Sequence, residues 1–458
     1  MKRVLGLIVM VIAFQGMVAE TSAAEGDRAK HRDDPAKYWN LKELSVFPSF
    51  RECTIPETRY EKLKPILVSG KGPDGTNAEF FAYYAVPEGE MPAGGWPGLV
   101  LVHGGGGTAY PNWVREWRDL GFAVIALDWL NQVPAPALTN VPPNETGVPR
   151  LPLPGGRRQN HVANVANIIL SHSLLMSFPE VNADRTVLVG LSWGSWYGGC
   201  VAAVDSRFRG AVAIYCCDFN PKQGWQMELV NGRFLHAAKI PMWWSLSTND
   251  QNVTPDTSNA GFEECARFDG CSIVNRLPHS HIGFSFPSVQ RMARYYVGLD
   301  KRLPHLGEVS LKDGVARAKI LDPGAGILTA KIGYTTEENA KTHLCTWQYD
   351  PADVENGEIV AVVPSRARKF YLAACEKDTR YHDLCGTTKF VTTARNADAY
   401  VPKIVSPTEP KPWEKTAAAD LADYLSLAVS TGWLSVDGCR DVVFHTARPT
   451  STGIPKAM

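Results

Sequence analysis

Between about residues 78 and 300, short apolar runs alternate with amphipathic stretches. Glu79–Val86, Leu99–His103, Ala123–Asp128, Thr186–Leu191, Ala211–Cys217, Met242–Ser247 and Ile273–Leu277 read as strands. Several are apolar at nearly every position, the pattern of strands covered on both faces. Val162, Val165 and Ile169 recur at helical spacing, Gly194–Val204 follows a strand directly, and Phe286–Val297 closes the series. Strands alternating with helices predict an α/β fold, a mostly parallel sheet wrapped by helices.

Two departures from this pattern divide the chain. Asn131–Arg158 holds seven prolines in 28 residues, which excludes a helix or a central strand there. The insertion follows a strand end, where the loops of open α/β sheets build ligand clefts, so it is either a cleft wall or a surface decoration. After Leu303, strands of roughly ten-residue spacing are expected at Ala316–Ile320, Ile327–Tyr334, His343–Tyr349, Ile359–Val363 and Phe370–Cys375. Asp322-Pro323-Gly324 and Glu355-Asn356-Gly357 supply turns between them. This second pattern suits a small antiparallel β-sandwich-like domain. The expected divisions are an α/β domain over 25–302, the sandwich over 303–403, and a linker with a helical tail near Trp413–Ala428 over 404–458.

The first residues read as a leader. Lys2 and Arg3 precede an apolar stretch from Val4 to about Ala19, and Ser22-Ala23-Ala24 gives a small-x-small end. Residues 1–24 are therefore expected to be a secretory signal peptide, its alternative being an uncleaved anchor helix, and the protein to be secreted or periplasmic. No other apolar run reaches the length of a spanning helix. Lys+Arg and Asp+Glu stand at 47 each, so the basic excess of a nucleic-acid partner is missing, and 45% apolar residues exclude a disordered chain. All ten cysteines lie beyond the leader, and export permits disulfides. Cys265–Cys271 would close a short loop, and Cys375–Cys385 or Cys345–Cys375 would pin the C-terminal region. Without a CxxC pair, zinc-ribbon and thioredoxin readings lack support.

The chemistry concentrates in three loops at strand ends. Gly190-Leu191-Ser192-Trp193-Gly194 is a GxSxG pentapeptide between a strand and a small-residue helix start. Such a turn presents a strained serine nucleophile, and the helix N-terminus offers N–H groups to a developing oxyanion. His103-Gly104-Gly105-Gly106-Gly107 follows the strand ending at Val102, and a glycine run there can turn backbone N–H groups toward a substrate carbonyl. A phosphate loop would carry Lys-Ser or Lys-Thr, and none follows. The N–H groups of Gly105 and Trp193 are the expected oxyanion donors, with Gly104 or Gly106 as alternatives, and His103 is read as bracing the loop. Chain order then calls for an acid and a histidine. Asp250 lies just past Met242–Ser247, with Asp218 as the competitor and Asp256 a weaker one. Pro278-His279-Ser280-His281 follows a strand and offers two bases. His281 is preferred, because His-x-Gly-Phe suits a loop that returns over the sheet; His279 is the alternative.

These residues resemble an α/β-hydrolase. Leu101–Gly107, Gly121–Asp128 and His279-Ser280-His281 are similar to exported dienelactone-hydrolase-like and acetyl-xylan-esterase-like enzymes, over roughly residues 60–300. The resemblance implies a triad of Ser192, Asp250 and His281 acting on carboxylic esters, often acetylated polysaccharides. Dienelactone hydrolases proper use a cysteine where Ser192 stands. Acetyl-xylan esterases carry Arg-Gly-Gln where this chain has Trp129-Leu130-Asn131-Gln132, and they usually lack a C-terminal sandwich.

The expected function is thus an exported serine esterase that removes acetyl-type acyl groups from a carbohydrate or small ester. No metal or organic cofactor is called for, and oligomeric state is left open. Among thirteen tryptophans, Trp129, Trp193, Trp225, Trp243 and Trp244 fall in or near the strand-end loops; Trp129 and Trp225 are the expected sugar-stacking pair. Two other functions fit the same residues. One is a prolyl-oligopeptidase-like peptidase, disfavoured because the extra domain follows the α/β part. The other is a non-catalytic carbohydrate-binding or adhesion protein on a hydrolase scaffold.

Overall fold

The computed structural model describes residues 29–53, 62–72, 75–105, 107–130, 158–215, 217, 232–250, 252–253, 255–275, 279, 281–337, 344–377, 379 and 382–393. The leader, the proline-rich insertion up to residue 157, Asp218, Trp225 and the C-terminal tail with its expected helix lie outside the described residues.

Among the described residues, nine strands form the first part of the chain: β1 (Phe50–Glu52), β2 (Lys64–Lys71), β3 (Asn77–Ala85), β4 (Trp96–Val102), β5 (Ala123–Asp128), β6 (Val181–Leu191), β7 (Gly210–Ile214), β8 (Met242–Ser247) and β9 (Phe268–Val274). Their spatial order is β1-β2-β3-β5-β4-β6-β7-β8-β9, antiparallel up to the β3–β5 pair and parallel from β5 onward. Helices α1 (Leu41–Leu44), α2 (Pro111–Asp119), α3 (Arg158–Ser177), α4 (Trp193–Val204), α5 (Pro255–Glu264) and α6 (Pro287–Tyr296) accompany the sheet. Every residue of β5, β7 and β8 is buried, which explains their unbroken apolar sequence. Parallel strands place their C-terminal ends on one edge, so the loops after β4, β6, β8 and β9 share a rim.

The remaining strands are β10 (His305–Lys312), β11 (Val315–Asp322), β12 (Thr329–Thr335), β13 (Gln348–Glu355), β14 (Glu358–Val362), β15 (Lys369–Cys375), β16 (Cys385–Thr387) and β17 (Val391–Thr392), all antiparallel. They form two layers. β13 crosses between them, pairing with β12 up to Ala352 and with β14 from Asp353. Ala316, Ala318, Ile332, Ile359, Phe370 and Leu372 fill the space between the layers. The sandwich is joined to the parallel sheet: β16 pairs with β9 at Thr387 and Cys271, and Ser272 Oγ donates to the Cys385 carbonyl at 2.6 Å. Trp347, Tyr371 and Phe390 belong to the core of the parallel sheet rather than to that of the sandwich.

Several boundaries differ from the sequence expectation for identifiable reasons. β7 stops at Ile214 rather than Cys217, because Tyr215 and Cys217 take φ of 70° and 79°, outside the extended region. β9 starts earlier, at Phe268. Its polar Asp269 is covered by the Tyr296 hydroxyl, which donates to it at 2.8 Å. β13 overlaps the expected His343–Tyr349 only at Gln348 and Tyr349 and runs on through a polar and largely exposed stretch with no apolar alternation. β2, β10, α2 and α5 were not expected. Cys375 and Cys385 are disulfide-bonded, which displaces the alternative Cys345–Cys375 pairing. Cys265 and Cys271 do not bridge: Cys265 lies against Met242 Sδ, and Cys271 faces Thr387 across the β9–β16 junction.

Candidate active site

Ser192 sits between β6 and α4 with φ of 56° and ψ of −117°, a conformation that non-glycine residues adopt only under constraint. The constraint is visible in the neighbours. The Ser192 N–H donates to the Ile214 carbonyl at 3.0 Å, and Ser195 Oγ accepts the Ile214 N–H at 2.9 Å, which pins the turn to β7. A Cβ on Gly190 would strike the Gly194 backbone, and one on Gly194 would strike the Val102 carbonyl. Both glycines of the pentapeptide are therefore required sterically. The helix behind Ser192 runs twelve residues, and its Gly194 packs against the backbone of Val102 and His103.

His279, from the loop after β9, completes a hydrogen-bonded relay. Its Nε2 lies 2.8 Å from Ser192 Oγ and its Nδ1 2.8 Å from Asp250 Oδ2. Asp250, after β8, is buried, and its Oδ1 accepts the N–H groups of Asn252 at 2.7 Å and Val253 at 2.9 Å. With Oδ1 occupied in this way, Oδ2 is the acceptor for the Nδ1 proton. That leaves the Nε2 lone pair toward the serine hydroxyl. The Tyr215 ring lies 4.7 Å from the imidazole, which explains why this residue leaves the strand in an unusual conformation.

The preferred base of the sequence reading is thus corrected. His281 starts a short 3-10 turn with its ring between Tyr110 at 5.3 Å and Trp113 at 5.7 Å, and its buried Nε2 finds no hydrogen-bond partner among the described residues. Burial pushes its imidazole down to about 3, with His103 and His279 adding to the effect. The two histidines of one loop meet different neighbours, and spacing alone does not tell which of them meets the serine. Asp250 is placed with His279; the competitor Asp218 and the Gly106 alternative lie outside the described residues.

The glycine loop packs against the nucleophile. A Cβ on Gly104 would stand 3.1 Å from Ser192 Cβ, and one on Gly105 2.5 Å from Trp193 Cδ1. Gly104, Gly105, Ser192 and Trp193 are thus in direct apposition, as an oxyanion hole requires. Trp193 is partly exposed and stacks on His161 at 5.8 Å and 7°. Trp129, expected to stack on a sugar, is instead fully buried against His103, and Trp243 and Trp244 are core residues of β8. Trp225 lies outside the described residues. Among the described residues, no group of three or more His, Cys, Asp or Glu side chains could hold a metal ion, and no helix is long and apolar enough to cross a membrane.

The sequence reading missed the supports of this site. Asn249 Nδ2 donates to the Cys345 carbonyl at 3.2 Å, and the Tyr349 hydroxyl donates to Asn275 Oδ1 at 2.9 Å. The sandwich therefore touches the loop of the acid and the strand end that leads to the base. No local motif announces such contacts, since the partners are 96 and 74 residues apart.

A parallel sheet with a serine at a strained strand-to-helix turn, and an acid and a histidine from later strand ends, decides the architecture. The chain resembles the α/β-hydrolases. No family model matches it, and no curated protein matches it. Among solved structures, an acetyl xylan esterase from Paenibacillus sp. R4 aligns at 18% identity with a TM-score of 0.45, covering 59% of this chain and 99% of that one. Acetyl xylan esterase 1 from Thermoanaerobacterium sp. JW/SL YS485 aligns at 19% identity with a TM-score of 0.40, over 58% of this chain and 94% of that one. A puromycin-hydrolyzing peptidase from Mycobacterium tuberculosis aligns at 19% identity with a TM-score of 0.39, over 54% of this chain and 41% of that one.

Proposed function

We propose that this chain is an exported serine hydrolase of carboxylic esters that removes acetyl-type acyl groups from a carbohydrate or small ester. The observation that carries the reading is the unbroken Ser192–His279–Asp250 relay, with both hydrogen bonds at 2.8 Å. In this mechanism Ser192 Oγ attacks the ester carbonyl while His279 Nε2 takes its proton. Asp250 holds the imidazole in the productive tautomer and stabilises its cation. The oxyanion is received by the N–H groups of Gly105 and Trp193. Collapse of the tetrahedral intermediate expels the alcohol, which takes the proton from His279, and leaves the acyl group on Ser192. Water, deprotonated by the same histidine, then releases the acid and restores the serine.

Export is supported by the basic start, apolar core and Ser22-Ala23-Ala24 end of the leader. N-terminal sequencing of the protein recovered from its native host should begin near residue 25. The balanced charge suits a neutral ester substrate better than an acidic one. A panel of acetyl, methyl and feruloyl esters beside dipeptide amides tests the reading. Acetyl esters should turn over fastest, and amide turnover without ester turnover would replace it with a peptidase.

A further inference from the structure

A second histidine–carboxylate pair lies behind the glycine loop. His103 Nδ1 is 2.7 Å from the Gly104 carbonyl oxygen, which also accepts the Gly107 N–H at 3.1 Å. The other ring nitrogen, Nε2, stands 3.3 Å from Asp128 Oδ1, an ion-pair contact that lacks hydrogen-bond geometry. Asp128 is itself fixed: Thr108 Oγ1 donates to Oδ2 at 2.9 Å and the Leu130 N–H to Oδ1 at 3.0 Å. The flat face of His103 lies on Trp129 at 4.8 Å and 8°, and the Trp129 indole N–H donates to the His103 carbonyl at 2.9 Å. His103, Asp128 and Trp129 are all buried. Below the same turn lies His281, whose buried Nε2 would stand 3.0 Å from a Cβ on Gly104 and 2.8 Å from one on Gly107. The glycines thus make room for a packed floor as well as for substrate.

A trans peptide is planar, and its C=O and the following N–H point in opposite directions. Holding the Gly104 carbonyl toward His103 and Gly107 therefore turns the Gly105 N–H to the other side of the same plane. Gly104 and Gly105 pack against Ser192 and the Trp193 ring. Glycine has little intrinsic preference for either orientation of such a peptide, so an unbraced loop would spend part of its time with a carbonyl oxygen facing the oxyanion. We propose that His103, oriented by Asp128 and clamped by Trp129, is a positioning residue that locks the Gly104–Gly105 peptide with its N–H turned into the oxyanion hole. The proposal rests on the serine-hydrolase reading and assigns Gly105 as a donor whose direction is set from behind.

The test compares His103→Phe, which keeps a ring on Trp129 without a donor, with His103→Asn, whose amide nitrogen replaces Nδ1. With p-nitrophenyl acetate, His103→Phe should lose about 10²-fold in kcat with KM within about threefold, the size of one lost oxyanion donor. Affinity for a trifluoromethyl ketone, which forms a tetrahedral oxyanion on the serine, should fall by the same factor. His103→Asn should recover most of both. A purely structural role would lower stability without this matched loss, and a folded His103→Phe with parental kcat overturns the proposal. Should both variants fail to fold by circular dichroism, 15N NMR of the unaltered protein decides: a proton on His103 Nδ1 supports the lock, and a neutral ring protonated only on Nε2 overturns it. The unaltered protein also separates the two claims. If it neither cleaves esters nor is labelled at Ser192 by a phosphonate, the hydrolase reading itself fails.

Discussion

Replacing Asp250 with Asn and with Ala separates its two duties. The carboxylate uses Oδ1 for the N–H groups of Asn252 and Val253 and Oδ2 for His279 Nδ1. In Asp250→Asn the amide oxygen can keep both backbone bonds, while the amide nitrogen meets His279 as a donor. The imidazole must then present its lone pair at Nδ1 and its proton at Nε2, the wrong tautomer for accepting the Ser192 proton. The expected loss is about 10⁴-fold in kcat, or about 5 kcal/mol of transition-state stabilisation, with the fold retained. Asp250→Ala adds a structural cost. The Asn252 residue is exposed and its N–H can turn to water, but the Val253 N–H is buried and would lose its acceptor, which costs about 1–3 kcal/mol. Steady-state kinetics on p-nitrophenyl acetate, with urea denaturation of each variant, reads both effects. A folded Asp250→Asn within tenfold of the parental kcat would refute the tautomer argument. Equal denaturation midpoints for the two variants would refute the loop argument.

Three further outcomes follow from the fold. Ending the chain after Arg302 removes Trp347, Tyr371 and Phe390 from the main core and uncovers β9, so the truncated protein should be insoluble or lack a cooperative melt; a soluble, fully active truncation would contradict the joined sheet. Mutating the Cys375–Cys385 pair to Ala removes a ten-residue closure and should cost about 2–3 kcal/mol in urea unfolding, with no change expected if the bridge is absent in solution. Burial raises the Glu116 carboxyl above its usual range, partly offset by hydrogen bonds from Ser285 and Gln290. The folded state then binds that proton more tightly than the unfolded state, so the parent loses stability as pH rises through the window above the ordinary Glu value. Glu116→Gln should therefore gain in Tm relative to the parent from pH 4 to pH 8; a pH-independent difference would show that the carboxyl is not perturbed.

What the sequence conveyed well was whatever local chemistry encodes. Ala123–Asp128 and Met242–Ser247 appear as strands with unchanged bounds, because continuous burial leaves an unbroken apolar run. Ser192 was legible because the turn that strains it also demands Gly190 and Gly194. The two histidines were not separable, since the direction of each ring depends on what the loop packs against: Tyr215 beneath His279, and Tyr110 with Trp113 around His281. Trp129 misled for a related reason. A tryptophan after a strand end can face substrate or floor, and only the flat contact with His103 assigns it to the floor. The polar β13 carried no alternation to read, being exposed along most of its length.

The most direct test of the central claim is covalent labelling followed by peptide mass spectrometry. The protein is treated with an alkyl fluorophosphonate, alongside His279→Ala and His281→Ala variants. The relay predicts a single adduct on the Ser192 peptide of the parent, near-complete loss of labelling in His279→Ala, and labelling of His281→Ala that far exceeds it. An adduct elsewhere, or labelling that survives loss of His279 and disappears with His281, would contradict the assignment of Ser192, His279 and Asp250.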